Sequence, residues 1–131
     1  MKELKLEQVR YECETWKRAV LFMIEESVSM KNRLSEILKH HLDKPLLEGV
    51  ERLQTKLVRN DELIGVFRDD LMYVSNLVQA GTVTPAPSEK QFDIKIDRLQ
   101  HNLLYLEKHF SKLKSEFNNY LRGNIGAIVG N

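Results

Sequence analysis

The chain is short of several things, and each shortage excludes something. It has a single cysteine, Cys13, in 131 residues, so no internal disulfide can form and no C-x-x-C metal or redox motif exists. It has only three prolines and six glycines. Two of the prolines, Pro85 and Pro87, fall together in "GTVTPAPS" and the third is Pro45, so long stretches lack the residues that break helices. Long apolar runs are missing too. The early run "AVLFMI" is far shorter than the roughly 20 residues a membrane-spanning helix needs. The N-terminus "MKELKLEQVR" alternates charged and apolar residues and has no signal-peptide core.

An excess of one charge is also lacking. Lysine and arginine number 20 and the acids 19, for a formal net charge of +1. The balance holds locally, with 8 basic and 7 acidic residues over 1–42, 5 and 7 over 43–88, and 7 and 5 over 89–131. Such a chain carries no large electrostatic footprint for nucleic acid. These shortages predict a cytoplasmic protein that binds neither nucleic acid nor membrane.

What is present is charge and apolar side chains in helical phase. Charged residues make up 30% and hydrophobic residues 42% of the chain, a mixture that suits long solvated helices. Leu6, Val9, Cys13, Trp16, Val20, Met23, Ser27, Met30, Leu34, Ile37 and His41 follow alternating steps of three and four. Leu46, Val50, Leu53, Leu57, Asn60, Ile64, Phe67, Leu71, Val74 and Val78 do the same, as do Phe92, Ile96, Leu99, Leu103, Leu106, Phe110, Leu113, Phe117 and Tyr120. Each is a heptad seam.

The punctuation agrees. Asp43 can cap a helix whose first turn holds Pro45, where a missing N–H costs little. Ser88 with Gln91 reads as a capping box. Gly123 with Asn124 is a helix stop. The spacing therefore predicts helices near 3–42, 45–80 and 89–122. The first two are joined too tightly to be anything but antiparallel neighbours. The expected fold is an all-α, elongated, coiled-coil-like up-down-up bundle of three helices, a rod roughly 50–60 Å long. One domain spans 1–122, followed by a short apolar and glycine-rich tail, 123–131, too rich in glycine for a helix.

Pairing His41 with Leu46 across the turn sets Ile37 against Val50, Leu34 against Leu53 and Met23 against Ile64. It also places Ser27 and Asn60, the polar interruptions of two seams, in one layer. Such a layer fixes register at some expense of stability; the alternative is a small polar site in the core. The third helix would bring Phe92 near Val78 and Phe117 near Leu53. Helix 1 carries a second apolar line, Leu21, Ile24, Val28, Leu38 and Leu42. Either it widens the stripe of a three-helix core, or it is the face for a further helix from a second copy. Lys31, Asn32 and Arg33 interrupt that line, as a solvated face or as a dock for an acidic partner. Leu21, Ile24, Val28, Lys31, Arg33 and Leu38 form the candidate interaction surface.

Chemistry is sparse. "HHLDKPL", residues 40–46, resembles the phosphorylated box of the dimerisation domain of sensor histidine kinases, H-E-[L/I]-[R/K]-[T/N]-P-L. His40, Leu42, Pro45 and Leu46 match, while His41 stands where the acid would be and Asp43 where the base would be. His41 and Lys44 also approach the H-x-x-K-G phosphotransfer pattern, with Pro45 in place of the glycine. Both families carry the histidine inside a helix; here a helix is expected to end. Glu36 and His40 stand one turn apart, but E-x-x-H and H-x-x-x-H are absent and no metal or other cofactor is expected. His101 and His109 read as surface residues. Glu48 and Glu51 form one E-x-x-E, half of what a magnesium-dependent nucleotide hydrolase on a helical bundle would use. No phosphate-binding loop, dinucleotide fingerprint or nucleophile elbow occurs.

Trp16 resembles the first-helix tryptophan of spectrin-type repeats and reads as core. The run from Trp16 to Leu38, with its W…EE…KNRL pattern, resembles a family of small uncharacterised bacterial helical proteins. That resemblance covers about a fifth of the chain and implies no activity. The expected function is non-catalytic: an interaction or scaffold bundle binding a protein partner, itself included. A histidine phosphorelay through His40 or His41, and a hydrolase using Glu48 and Glu51, are the alternatives.

Overall fold

Helix-forming seams broken only at two places dictate three long helices, and a computed structural model of the chain shows them. It describes residues 3–41, 43–81 and 89–129. Helix α1 is Glu3–His40, α2 Lys44–Gln79, α3 Glu89–Gly123 and α4 Ile125–Val129. The expected capping box at Ser88 and the last apolar position of helix 1, Leu42, lie outside the described residues.

The helix ends follow local chemistry. Lys39 and His40 place basic side chains at the negative end of α1. Asp43 precedes α2, and its carbonyl accepts the first bond of the helix from the Leu47 N–H at 3.0 Å. Pro45 sits in the first turn, where no donor is lost. Past the end of α2, Gly81 adopts φ 72° and its N–H reaches the Val78 carbonyl at 3.0 Å. That left-handed residue is the usual way to close a helix C-terminus.

The chain divides into two compact units, Met1–Phe22 with Leu63–Leu106, and Met23–Glu62 with Glu107–Asn131. Each contains a segment of α1, α2 and α3, running up, down and up. In the first unit the Arg10 guanidinium donates to the Val78 carbonyl at 3.2 Å, and Lys5 pairs with Asp93 at 2.5 Å. In the second, Tyr120 donates its hydroxyl to the Leu46 carbonyl at 2.6 Å and Lys56 pairs with Glu116 at 2.5 Å.

The seams are the core. Every α2 seam residue from Leu46 to Val78 is buried, Asn60 included. So are the α1 seam residues from Val9 to Ile37, with Trp16 and Ser27 among them, and on α3 all but Ile96. A fully buried leucine or phenylalanine contributes about 1.5–3 kcal/mol, so these positions carry the fold. Leu6, Ile96 and His41 are only half-buried, and His41 therefore ends the first seam outside the core.

The tail departs from expectation. Residues 125–129 form a short helix despite Gly126. Asn124 starts it: its N–H reaches the Tyr120 carbonyl at 3.1 Å, its side-chain amide reaches the same oxygen at 2.8 Å, and its own carbonyl accepts from Ile128 at 2.9 Å. An asparagine that satisfies the end of α3 thus begins the next turn.

Candidate functional site: a buried polar layer and two exposed faces

The polar layer predicted at Ser27 and Asn60 lies in the second unit. Ser27 is 1% and Asn60 0% exposed. They do not serve each other. The Ser27 hydroxyl donates to Asp61 Oδ1 at 2.8 Å, and the other Asp61 oxygen takes the Lys31 ammonium. Lys31 therefore pairs across to α2 while its side chain stays 41% exposed, so it joins the helix contact and still meets water. The reason is phase: Lys31 and Asp61 each follow a seam residue, Met30 and Asn60, and flank the α1–α2 contact.

Asn60 turns to α3 instead. Its Oδ1 stands 3.3 Å from His109 Nδ1, so His109 is half-buried against the layer and not the surface residue expected. The Asn60 amide nitrogen is buried with no hydrogen-bond partner, a deficit of about 1–3 kcal/mol. Glu26 and Lys114 link α1 to α3 alongside. His101, by contrast, is exposed, and its Nδ1 stands 2.8 Å from the Asp97 carbonyl one turn back.

Further along the α2–α3 contact of this unit, Lys56, Arg59, His109, Lys112, Leu113 and Glu116 line a groove of about 230 Å³. The hydrogen bond from Lys56 holds the Glu116 carboxyl below its ordinary value, burial opposes this, and the charges of Lys56, Lys112 and Arg52 reinforce it. Charge summed over sequence segments hides this cluster.

The candidate surface on α1 is uneven. Leu21, at 53% exposed, belongs to the first unit; Val28, at 48%, and Leu38, at 37%, belong to the second. These three leave the core, so the wide-stripe reading fails for them. Ile24 is half-buried and Arg33 is exposed. Phe22, 56% exposed in the first unit, sits beside the line and not on it, so the spacing of the line does not mark it.

A second exposed face lies off all three seams. In the first unit, Leu63, Val66 and Tyr73 fall on one flank of α2 at steps of three and seven, and all three are exposed. Across the groove, Lys95 lies over the Tyr73 ring at 5.1 Å, and Asp70, Val74, Arg98, Leu99 and Asn102 complete its lining. Continuing that antiparallel register brings Tyr105, 64% exposed, opposite Leu63. The signal was available as apolar residues one step off the seam.

His40 ends α1, exposed, with Nε2 3.7 Å from Glu36 Oε2. It lines a shallow groove with Arg33, Glu36, Ile37, His41, Ile128 and Val129, so the tail helix lies beside the histidines. Glu48 and Glu51 are both exposed on α2. Among the described residues, no three histidine, cysteine or carboxylate side chains are grouped to hold a metal ion. No helix among them is long and apolar enough to cross a membrane.

Fold and faces define the class: an all-α protein of three long helices whose seams are buried and whose flanks carry exposed apolar and basic side chains. Compared with protein-family models, curated proteins and solved structures, the chain matches none.

Proposed function

We propose that the protein is a non-catalytic interaction module of a reducing compartment such as the cytoplasm, and that it binds a second copy of itself. The observation that carries this reading is the first unit's α2–α3 flank, where Leu63, Val66, Tyr73 and Tyr105 remain exposed. Single exposed apolar side chains are ordinary, but aligned ones on two adjoining helices offer a seat for another helix. The near-zero net charge of +1 sets no repulsion against a like chain. Leu21 and Phe22 of α1 supply an apolar element of the same unit that a second copy could present. Sedimentation velocity across a concentration series tests this. Association that weakens in Val66→Glu and Tyr105→Glu, with helicity retained, is expected; a monomer at every concentration would refute self-association.

A second reading rests on His40, exposed and 3.7 Å from the Glu36 carboxylate, which would accept phosphate from a donor. Incubation with a small-molecule phosphodonor followed by mass spectrometry distinguishes it: acid-labile phosphate on His40 or His41 would support a phosphorelay, and its absence would set that reading aside. Glu48 and Glu51 gain no support of this kind.

A further inference from the structure

We propose that the groove between α2 and α3 of the second unit is a binding site for a small phosphate-bearing anion. On α2, Arg52, Lys56 and Arg59 follow steps of four and three, which put them on one flank. On α3, His109, Lys112 and Glu116 do likewise, and the antiparallel register sets the two flanks face to face. Three cations of the lining, Lys56, Arg59 and Lys112, meet one carboxylate. That carboxylate, Glu116, is already taken by Lys56 at 2.5 Å. Among the described residues, Arg59 and Lys112 have no hydrogen-bond or ion-pair partner. The lining thus holds three cationic side chains against one carboxylate, and the charges that lower the Glu116 carboxyl are those of Lys56, Lys112 and Arg52. The fully buried Asn60 anchors the wall, holding the His109 ring by a 3.3 Å contact at Nδ1.

A guanidinium and two ammonium groups suit a multiply charged oxyanion: the arginine fork matches two phosphate oxygens and the lysines supply point charge. The volume of about 230 Å³ lies below the roughly 300–1,000 Å³ of sites for drug-sized ligands. The ligand is therefore one or two phosphate groups, free or borne on a molecule that otherwise stays outside. This site shares no residue with the apolar flank proposed for self-association.

The probes are inorganic pyrophosphate, by titration calorimetry at fixed ionic strength, and phosphatidylcholine vesicles with and without a phosphoinositide. Arg59→Gln and Lys112→Gln should each weaken binding by about tenfold or more, the value of one charge-assisted contact. Glu116→Gln should strengthen it, because Lys56 is released from its carboxylate. Lys95→Gln, on the other unit, should change nothing. Saturable binding of free pyrophosphate with this variant pattern supports a soluble ligand. The same pattern on phosphoinositide vesicles alone supports the same chemistry presented by a lipid headgroup. Failure to bind either probe at millimolar phosphate overturns the proposal, as does binding that Arg59→Gln and Lys112→Gln leave intact while circular dichroism shows them folded.

Discussion

Gly49 sits inside α2, where glycine is a poor choice. Replacing a solvent-exposed helical glycine by alanine stabilises by about 1 kcal/mol. At Gly49 the sign should reverse. A Cβ there would lie 2.3 Å from Tyr120 Cε1, with Cδ1 at 3.0 Å and Cζ at 3.1 Å. No rotation about the ring's own axis relieves contacts on the edge and the Cζ together, so the whole ring must move. It is held by its hydroxyl, which donates to the Leu46 carbonyl at 2.6 Å, and burial raises the phenol's pKa so that the proton stays in place. Overpacking costs about 1–3 kcal/mol, and stretching the tyrosine bond adds about 1 kcal/mol. Against the propensity gain, Gly49→Ala should destabilise by about 2 kcal/mol, a fall in Tm of roughly 5–10 °C for a chain of this size. Thermal unfolding followed by circular dichroism measures it. The internal control is the same substitution in a Tyr120→Leu background, where the obstacle is gone and alanine should stabilise by several tenths of a kcal/mol. If Gly49→Ala raises Tm in the wild-type background, the ring is not what requires glycine and the reasoning is wrong.

The unpartnered amide of Asn60 predicts that Asn60→Leu raises stability by about 1 kcal/mol, since an apolar side chain removes the deficit and half-buried His109 can turn to water; a clear drop in the denaturation midpoint would show that the layer contributes net stability. Cys13 is 1% exposed and burial pushes its thiol up from 9.0 to about 11, so at pH 8 roughly one thiol in a thousand is thiolate. Iodoacetamide should therefore label the folded chain far more slowly than the denatured one. The sign is that of a raised pKa: the neutral thiol's share of stability is whole below pH 9 and declines as pH rises toward 11. Rapid labelling of folded protein at pH 8 would contradict the burial.

The core was legible because burial on a helix is periodic and three seams kept phase. Asp43 and Pro45 marked where the second helix begins, and Gly81 and Glu89 bracket the break between the second and third. What the seams could not say is which flanking residues meet. Lys31 and Asp61 each stand one residue past a seam position, about 100° round the helix. That offset decides whether a side chain joins the neighbouring helix or faces water. Read along a single helix, Lys31 looked like an interruption in an apolar line. Placed beside α2, it is a partner of Asp61, whose other oxygen takes the Ser27 hydroxyl.

The basic groove was hidden for a related reason. Residues 43–88 carry more acid than base, so any sum over sequence argues against an anion site. Helical phase sorts those charges onto different faces: Lys56 and Arg59 line the groove on the α3 side, with Arg52 near enough to act on Glu116, while Asp61 goes to the α1 side. Lys112 and His109 then come from a segment whose slight basic excess is spread over another helix. Glycine 49 shows the same limit at one residue. Its oddity inside a helix could be seen at once, but the cause is a tyrosine from α3 that only the antiparallel register delivers. Local pattern therefore determined which residues are inside, and pairing between helices determined which of the rest can act together.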